Sequence, residues 1–433
     1  MQINIDELKI SDNRVDFQLR VSKSLKRYFL KDNCYVQYDS TLDLRNVEHS
    51  ILYIPMLAVI APIAWSVGAE VNVPKLDAAY LRSLAQVKGV FKDSDLNFSF
   101  SGEIYPGEAV TNEFGGKRFG MLFSGGVDSL TSYLRHKNNK PDLFSIWGVP
   151  DIPPFEDKFW STMWAEISDL ADRDTIRAFQ IKTDMFRNIN RELLNKEFGI
   201  SWWGDVTGGL FLLGMCAPVT AIRGIGTVII ASSYTQDFQK ALGFNPSIDK
   251  NVSWADVTVL HDGYKMSRQQ KVQYLCRNEN IGYLSHLRVC WESAWRTNCG
   301  NCEKCFRTIV GLVLEGVDPN KCNFDTNTKT LPYIRDCFRK GKIALTEGGL
   351  FMWRDIQKHI PEHINTDIRG SHEFLAWLRE YDLSQYRVNR LRKSLWQAYH
   401  FYRNKRIKAP AIKRKIRCYY YILLNNLRKR FAV

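Results

Sequence analysis

Apolar and polar residues alternate at period two in Arg14-Val15-Asp16-Phe17-Gln18-Leu19-Arg20-Val21 and again in Cys34-Tyr35-Val36-Gln37-Tyr38, which predicts two half-buried strands near the start of the chain. Residues 51–69 then run without a single charged side chain and are interrupted by Pro55 and Pro62. A proline inside a helix removes a donor and costs roughly 3 kcal/mol. The pattern therefore predicts a buried, proline-broken helix in preference to a membrane span. A helical stretch near 76–87 follows. Residues 1–117 read as an α+β accessory or oligomerisation domain, with no chemistry evident in it.

From about 118 to 320 the rhythm changes. Short apolar runs at 119–123, 143–147, 178–181 and 227–231 alternate with helical patterns at 130–135, 159–171 and 210–222. Strands separated by helices predict βαβ units and a parallel sheet covered on both faces, the α/β class. Ligands of such sheets sit beyond the carboxyl ends of the strands. Residues 321–433 look helical, with helix-like apolar spacing in 374–378 and 391–402.

Charge adds one point. Fifteen of the 60 Lys and Arg, and none of the 46 Asp and Glu, lie from Tyr386 onward. The other 385 residues are thus close to neutral. The basic tail, with aromatics at Tyr419, Tyr420 and Tyr421, suits an RNA backbone, an anionic membrane surface, or a helix docked on the body with a solvated basic face. Four of the ten cysteines crowd between 290 and 305, the usage of a metal site plus ordinary thiols in a reducing compartment. The N-terminal residues lack a basic segment followed by an apolar run, so a cytoplasmic location is expected.

The strongest chemical signal is Phe123-Ser124-Gly125-Gly126-Val127-Asp128-Ser129-Leu130, leaving an apolar strand and entering a helix. Paired glycines let backbone N–H groups approach an anion, Ser124 and Ser129 add hydroxyl donors, and the helix start adds a favourable dipole. Asp128 beside a phosphate is repulsive unless a cation lies between them, which points to Mg²⁺. No Gly-Lys-Ser/Thr of a Walker loop follows, and no Gly-x-Ser-x-Gly elbow is present. Arg223-Gly224-Ile225-Gly226-Thr227 reads as a helix-ending turn.

The second signal is Cys290-x8-Cys299-x2-Cys302-x2-Cys305, with Gly300 giving the backbone freedom for thiolates to converge. Four sulfur ligands suit a closed, structural Zn²⁺ site; an iron–sulfur cluster is the alternative.

The loop resembles the Ser-Gly-Gly-x-Asp-Ser motif of the PP-loop ATP pyrophosphatase superfamily. Joined to the cysteines about 160 residues later, it is similar to the 7-cyano-7-deazaguanine synthase family over roughly 118–315. The resemblance implies an adenine nucleotide alpha hydrolase-like fold with a four-cysteine zinc loop, plus N-terminal α+β and C-terminal helical additions. It also implies an ATP-dependent ligase, using Mg²⁺, that transfers AMP to a carboxylate or carbonyl oxygen before a C–N bond forms. Trp147-Gly148-Val149-Pro150-Asp151 and Ser232-Ser233-Tyr234-Thr235-Gln236-Asp237 depart from that family, so the acceptor pocket is rebuilt.

Expected nucleotide contacts are Ser124, Gly125, Gly126, Val127, Asp128, Ser129, Gly148 and Ser233. Tyr234 and Asp237 are the acceptor candidates. Catalytic candidates are Asp128, Ser129, Arg268 and Lys271, whose cations would neutralise charge as pyrophosphate leaves. His261 and Asp262 are expected in a loop, and Arg307 as packing for the metal loop. The acceptor would be a small molecule of deazapurine type or a macromolecule, and the chain a homo-oligomer or part of a multi-protein complex. The alternative functions are an RNA-modifying PP-loop enzyme and a nucleotide-binding subunit of a larger, for example defence, system.

Overall fold

In the computed structural model, which describes residues 1–238, 242–290 and 298–387, the run Asp142–Trp147 is buried at every position. A strand without a solvent face belongs inside a sheet covered on both sides. It is β8 of eleven strands among the described residues: β1 (Gln2–Ile5), β2 (Lys9–Ser11), β3 (Arg14–Val21), β4 (Asn33–Gln37), β5 (Glu70–Asp77), β6 (Glu103–Val110), β7 (Arg118–Leu122), β8, β9 (Ala178–Thr183), β10 (Ile225–Ala231) and β11 (Thr258–Asp262).

They form one sheet in the order β11-β10-β7-β8-β9-β4-β3-β1-β5-β6, with β2 paired to β3. The five strands from β7 to β11 are mutually parallel. The chain lays β7, β8 and β9 outward in one direction, then returns to the other side of β7 for β10 and β11. That doubly wound order makes the carboxyl ends of β7 and β10 a topological switch point, the place where such sheets bind ligands. The N-terminal strands enter the same sheet because β4 pairs antiparallel with β9. His261 and Asp262, expected in a loop, instead close β11, opposite Ile230 and Ala231 of β10. Polar residues at a strand end have no alternating partners, so periodicity does not find them.

The apolar core divides by sheet face. One cluster joins the N-terminal elements to the helix Gly208–Arg223. The other joins the helices Val127–His136, Asp157–Arg173 and Glu303–Leu314 to the C-terminal helices. The uncharged run at 51–69 forms helices His49–Leu52 and Ile54–Val67. The prolines do not break it as expected: Tyr53, where the two helices meet, keeps helical dihedrals, Pro55 falls in the first turn of the second helix, where a missing N–H is tolerated, and Pro62 lies inside that helix without ending it. Trp202–Arg223 is the one described run long and apolar enough to cross a membrane, and 78% of its most apolar window is buried within the fold. It packs as a core helix against Ile54–Val67, and Gly214 is the contact point. A Cβ at Gly214 would lie 2.4 Å from the Cβ of Ala58. Overpacking of this kind costs about 1–3 kcal/mol. Gly214→Val should therefore lower stability by about 2–3 kcal/mol in urea melts; an unchanged midpoint would contradict this close helix contact.

Candidate functional site

The motif loop leaves β7 at the switch point. Gly126 caps the helix Val127–His136, and Gly125 adopts φ 72°, the left-handed region that glycine enters without strain. The Ser129 hydroxyl lies 3.3 Å from both the Ser124 amide and the Ser124 hydroxyl, so the loop is folded on itself. Ser124 is exposed, while Gly125, Val127 and Ser129 are buried. At Gly126 a Cβ would meet only ordinary contacts, 3.4 Å from the Ser124 hydroxyl and 3.7 Å from a carbonyl, and its φ of −74° suits any residue. Packing does not demand glycine there.

Asp128 stands in the first turn of that helix, where a carboxylate favours the dipole. Arg268 Nη2 donates to one of its oxygens at 2.7 Å and Lys271 Nζ to the other at 3.0 Å. Burial raises the carboxyl pKa, but the two cations outweigh it and hold Asp128 below the ordinary carboxylate range. Lys271 Nζ also donates to the Ser232 carbonyl at 2.5 Å, tying the loop after β10 to the loop after β7. Arg268 and Lys271 open the helix Arg268–Leu275, whose start is fixed by a reciprocal capping box between Ser267 and Gln270. Their positions at i and i+3 put both cations on one face.

Tyr234 follows β10 and is stacked on Phe238, ring centroids 4.5 Å apart; Phe238 in turn meets Phe351 at 5.0 Å. Burial pushes the Tyr234 phenol up, against the nearby Arg307 and Arg268 charges. Ser233 and Asp237 share that loop but bond to none of Asp128, Arg268 and Lys271, and Asp237 is exposed. Gly148 follows β8 with φ 128°, and a Cβ there would lie 1.9 Å from the Thr183 carbonyl. Its glycine identity is accounted for by the approach of β9.

The four cysteines converge. Their sulfurs all lie within 4.8 Å of one another, and the Cys299 and Cys305 sulfurs are 3.7 Å apart. A tetrahedral ion with sulfur bonds of about 2.3 Å would set sulfur–sulfur edges of about 3.8 Å, so the donor set fits one metal ion. Gly300 has φ 64°, the freedom expected of it. Burial pushes the Cys302 and Cys305 thiols up, so as thiolates they need a cation beside them. Asn298, which periodicity and motif spacing both miss, is buried and organises the site. Its Oδ1 accepts from the Val289 and Cys290 amides at 2.8 and 3.3 Å, and its Nδ2 donates to the Leu287 carbonyl at 2.9 Å.

The two signals are physically joined. The segment before Cys290 lies along the glycine loop, with the Arg288 amide donating to the Gly125 carbonyl at 2.8 Å. Lys304, between two cysteines, reaches Asp151 after β8 at 3.8 Å. The helix Glu303–Leu314, capped at Cys302, carries Arg307 toward Arg268 and Tyr234.

His261 and Asp262 are structural anchors. His261 Nδ1 is 2.7 Å from Asp249 Oδ2, and both side chains are fully buried. Asp262 accepts from Ser132 at 2.8 Å and Arg135 at 3.1 Å, and His136 Nε2 lies 3.1 Å from its other oxygen. The basic tail lies outside the described residues, apart from Tyr386 and Arg387 at its start.

Comparison of the chain with family models, curated proteins and solved structures finds no match.

Two outcomes follow. Purified protein should carry about one metal ion per chain by elemental analysis, and Cys302→Ser should lose it with a drop in thermal midpoint; full metal content in the variant would remove Cys302 from the ligand set. Burial raises the Asp262 carboxyl, but nearby His136 and the hydrogen bonds from Ser132 and Arg135 hold it below its unfolded range. A lowered folded pKa stabilises above the unfolded value near ~3.9, and that contribution fades as pH falls through the folded value. The stability gap between wild type and Asp262→Asn should thus shrink between pH 7 and pH 3 in urea titrations. A gap constant with pH would contradict the ionised pairing.

Proposed function

We propose that this chain binds Mg·ATP in the loop 124–129 and cleaves it between the α- and β-phosphates, transferring AMP to a carboxylate or carbonyl oxygen of an acceptor. An amine or ammonia then displaces AMP and forms a C–N bond. The observation that carries this reading is a glycine loop at the β7/β10 switch point with two cations, Arg268 and Lys271, gathered on its aspartate.

Gly126 supports it. Neither backbone conformation nor packing requires a glycine there, whereas a phosphate lying on that peptide does. Arg268 and Lys271 supply donors that phosphate oxygens can accept, and they stabilise negative charge as pyrophosphate leaves. Asp128 is the carboxylate at hand to hold Mg²⁺, which would supply charge neutralisation between carboxylate and phosphate. Engaging it requires Arg268 or Lys271 to release one Asp128 oxygen, an exchange favoured when phosphate takes the same donors. Tyr234 and the rings of Phe238 and Phe351 border the acceptor side. The cysteine site would hold Zn²⁺ as a closed cross-link beneath the loop, with no open coordination position for chemistry.

Labelled ATP incubated with Mg²⁺ and a panel of deazapurine, peptide and tRNA acceptors should give AMP and pyrophosphate in equal amounts. Release of ADP and phosphate instead, or of nothing with any acceptor, would sink the reading. Gly126→Ala should leave the unfolding midpoint within about 1 kcal/mol of wild type while ATP affinity drops. Asp128→Asn should cut turnover by roughly 10²-fold or more with the fold retained.

A further inference from the structure

We infer that Arg307, two residues beyond the last cysteine, is a third cation of the anion site and binds a phosphate group jointly with Arg268. The inference rests on the ATP reading above and adds to it a residue for which the motif loop gives no signal.

Arg307 is 6% exposed. Its guanidinium has five N–H donors and cannot lose its charge at physiological pH. Among the described residues those donors meet little. Nη1 faces the Met352 sulfur, a weak acceptor, and Nη2 lies 3.6 Å from Glu303 Oε2. Glu303 is shared, since its Oε1 accepts from the Trp353 indole at 3.0 Å. The Nε of Arg307 is buried with no hydrogen-bond partner, and so is the Nε of Arg268.

A buried unpaired donor on a charged group is costly, and two on neighbouring cations more so. The helices that bear Arg268 and Arg307 pack on each other, the Gln269 side chain donating to the Gly311 carbonyl at 3.1 Å, and the two guanidinium charges repel across that contact. Among the described residues Arg268, Lys271 and Arg307 are offset by Asp128 and Glu303, and Asp262, which also acts on Lys271, is already paired with Arg135, so a net positive charge remains in a buried place. An anionic oxygen between the two guanidinium groups would satisfy both Nε donors and remove the repulsion. A group made only for packing would need no charge there, and leucine or methionine would fill the space at lower cost.

The test uses the full, metal-loaded chain with pyrophosphate and with Mg·ATP, binding being followed by calorimetry. Arg307→Met should weaken pyrophosphate binding at least about tenfold, with thermal midpoint and metal content near wild type, and Arg307→Lys should recover part of the loss. A folded, metal-loaded R307M that binds like wild type overturns the assignment while leaving the ATP reading intact. Wild-type protein that binds neither ligand overturns the ATP reading, and this assignment with it. Should R307M fail to fold, crystals of wild type with Mg²⁺ and a non-hydrolysable ATP analogue decide. Arg307 donors on a phosphate oxygen support the assignment. A guanidinium still on Met352 and Glu303, with the phosphates elsewhere, overturns it.

Discussion

Charge held out of water organises this molecule. Asp128, Arg268 and Lys271 meet where β7 and β10 end, and each comes from an element anchored by something else. The helix bearing Asp128 is fixed by Ser132, Arg135 and His136 to Asp262 of β11. The helix bearing the two cations is fixed by its capping box and by Asp355, which accepts from the Gln269 amide at 2.8 Å. Buried ions that lose their partners are costly, so the arrangement tolerates little displacement of either helix. The chemistry proposed for this place depends on that rigidity, because positioning and electrostatics are what such a site contributes.

The cysteine cluster belongs to the same construction. Its first ligand follows a segment bonded to Gly125, and its last two open the helix that carries Arg307. A metal ion joining Cys290 to Cys299, Cys302 and Cys305 would cross-link the back of the glycine loop to the wall of the site. The C-terminal helices complete that wall. Met352 and Phe351 of the helix Glu347–His359 meet Arg307 and Phe238, and Gly348 leaves room for the Tyr234 hydroxyl, 2.4 Å from where a Cβ would stand. Residues beyond 321 therefore border the site and are more than an appendage.

The N-terminal residues contribute differently. Through β4 they extend the sheet beyond β9, and through Ile54–Val67 they cover the face of the sheet opposite the Asp128 helix. Their role is burial. They enclose Trp202–Arg223, a run long and apolar enough by its own sequence to suit a bilayer, and so remove its surface from water. Here the close approach at Gly214 and the buried Asp249–His261 pair hold the layer in place.

Local sequence determined a good deal. The strand–glycine–helix run, the cysteine spacing, the four parallel strands and the burial of the uncharged run 51–69 were all legible, because each is a short-range pattern governed by backbone geometry, hydropathy or ligand spacing; Pro62 was misleading, since the helix continues through it. Arg268 and Lys271 were legible as a helix-opening pair, but their partner was not. That Asp128 receives both, that Arg307 turns toward them, and that Asp262 is an anchor on a strand were decided by the order β11-β10-β7-β8, which brings residues 130 to 143 positions apart into contact. Gly148 and Gly126 make the same point in opposite senses. Both appeared as ligand contacts in the sequence, yet only the packing of β9 against Gly148 tells a glycine required by the fold from one the fold leaves open. Long-range charge pairing and close backbone approach carry no local periodicity, so only the tertiary structure could place them.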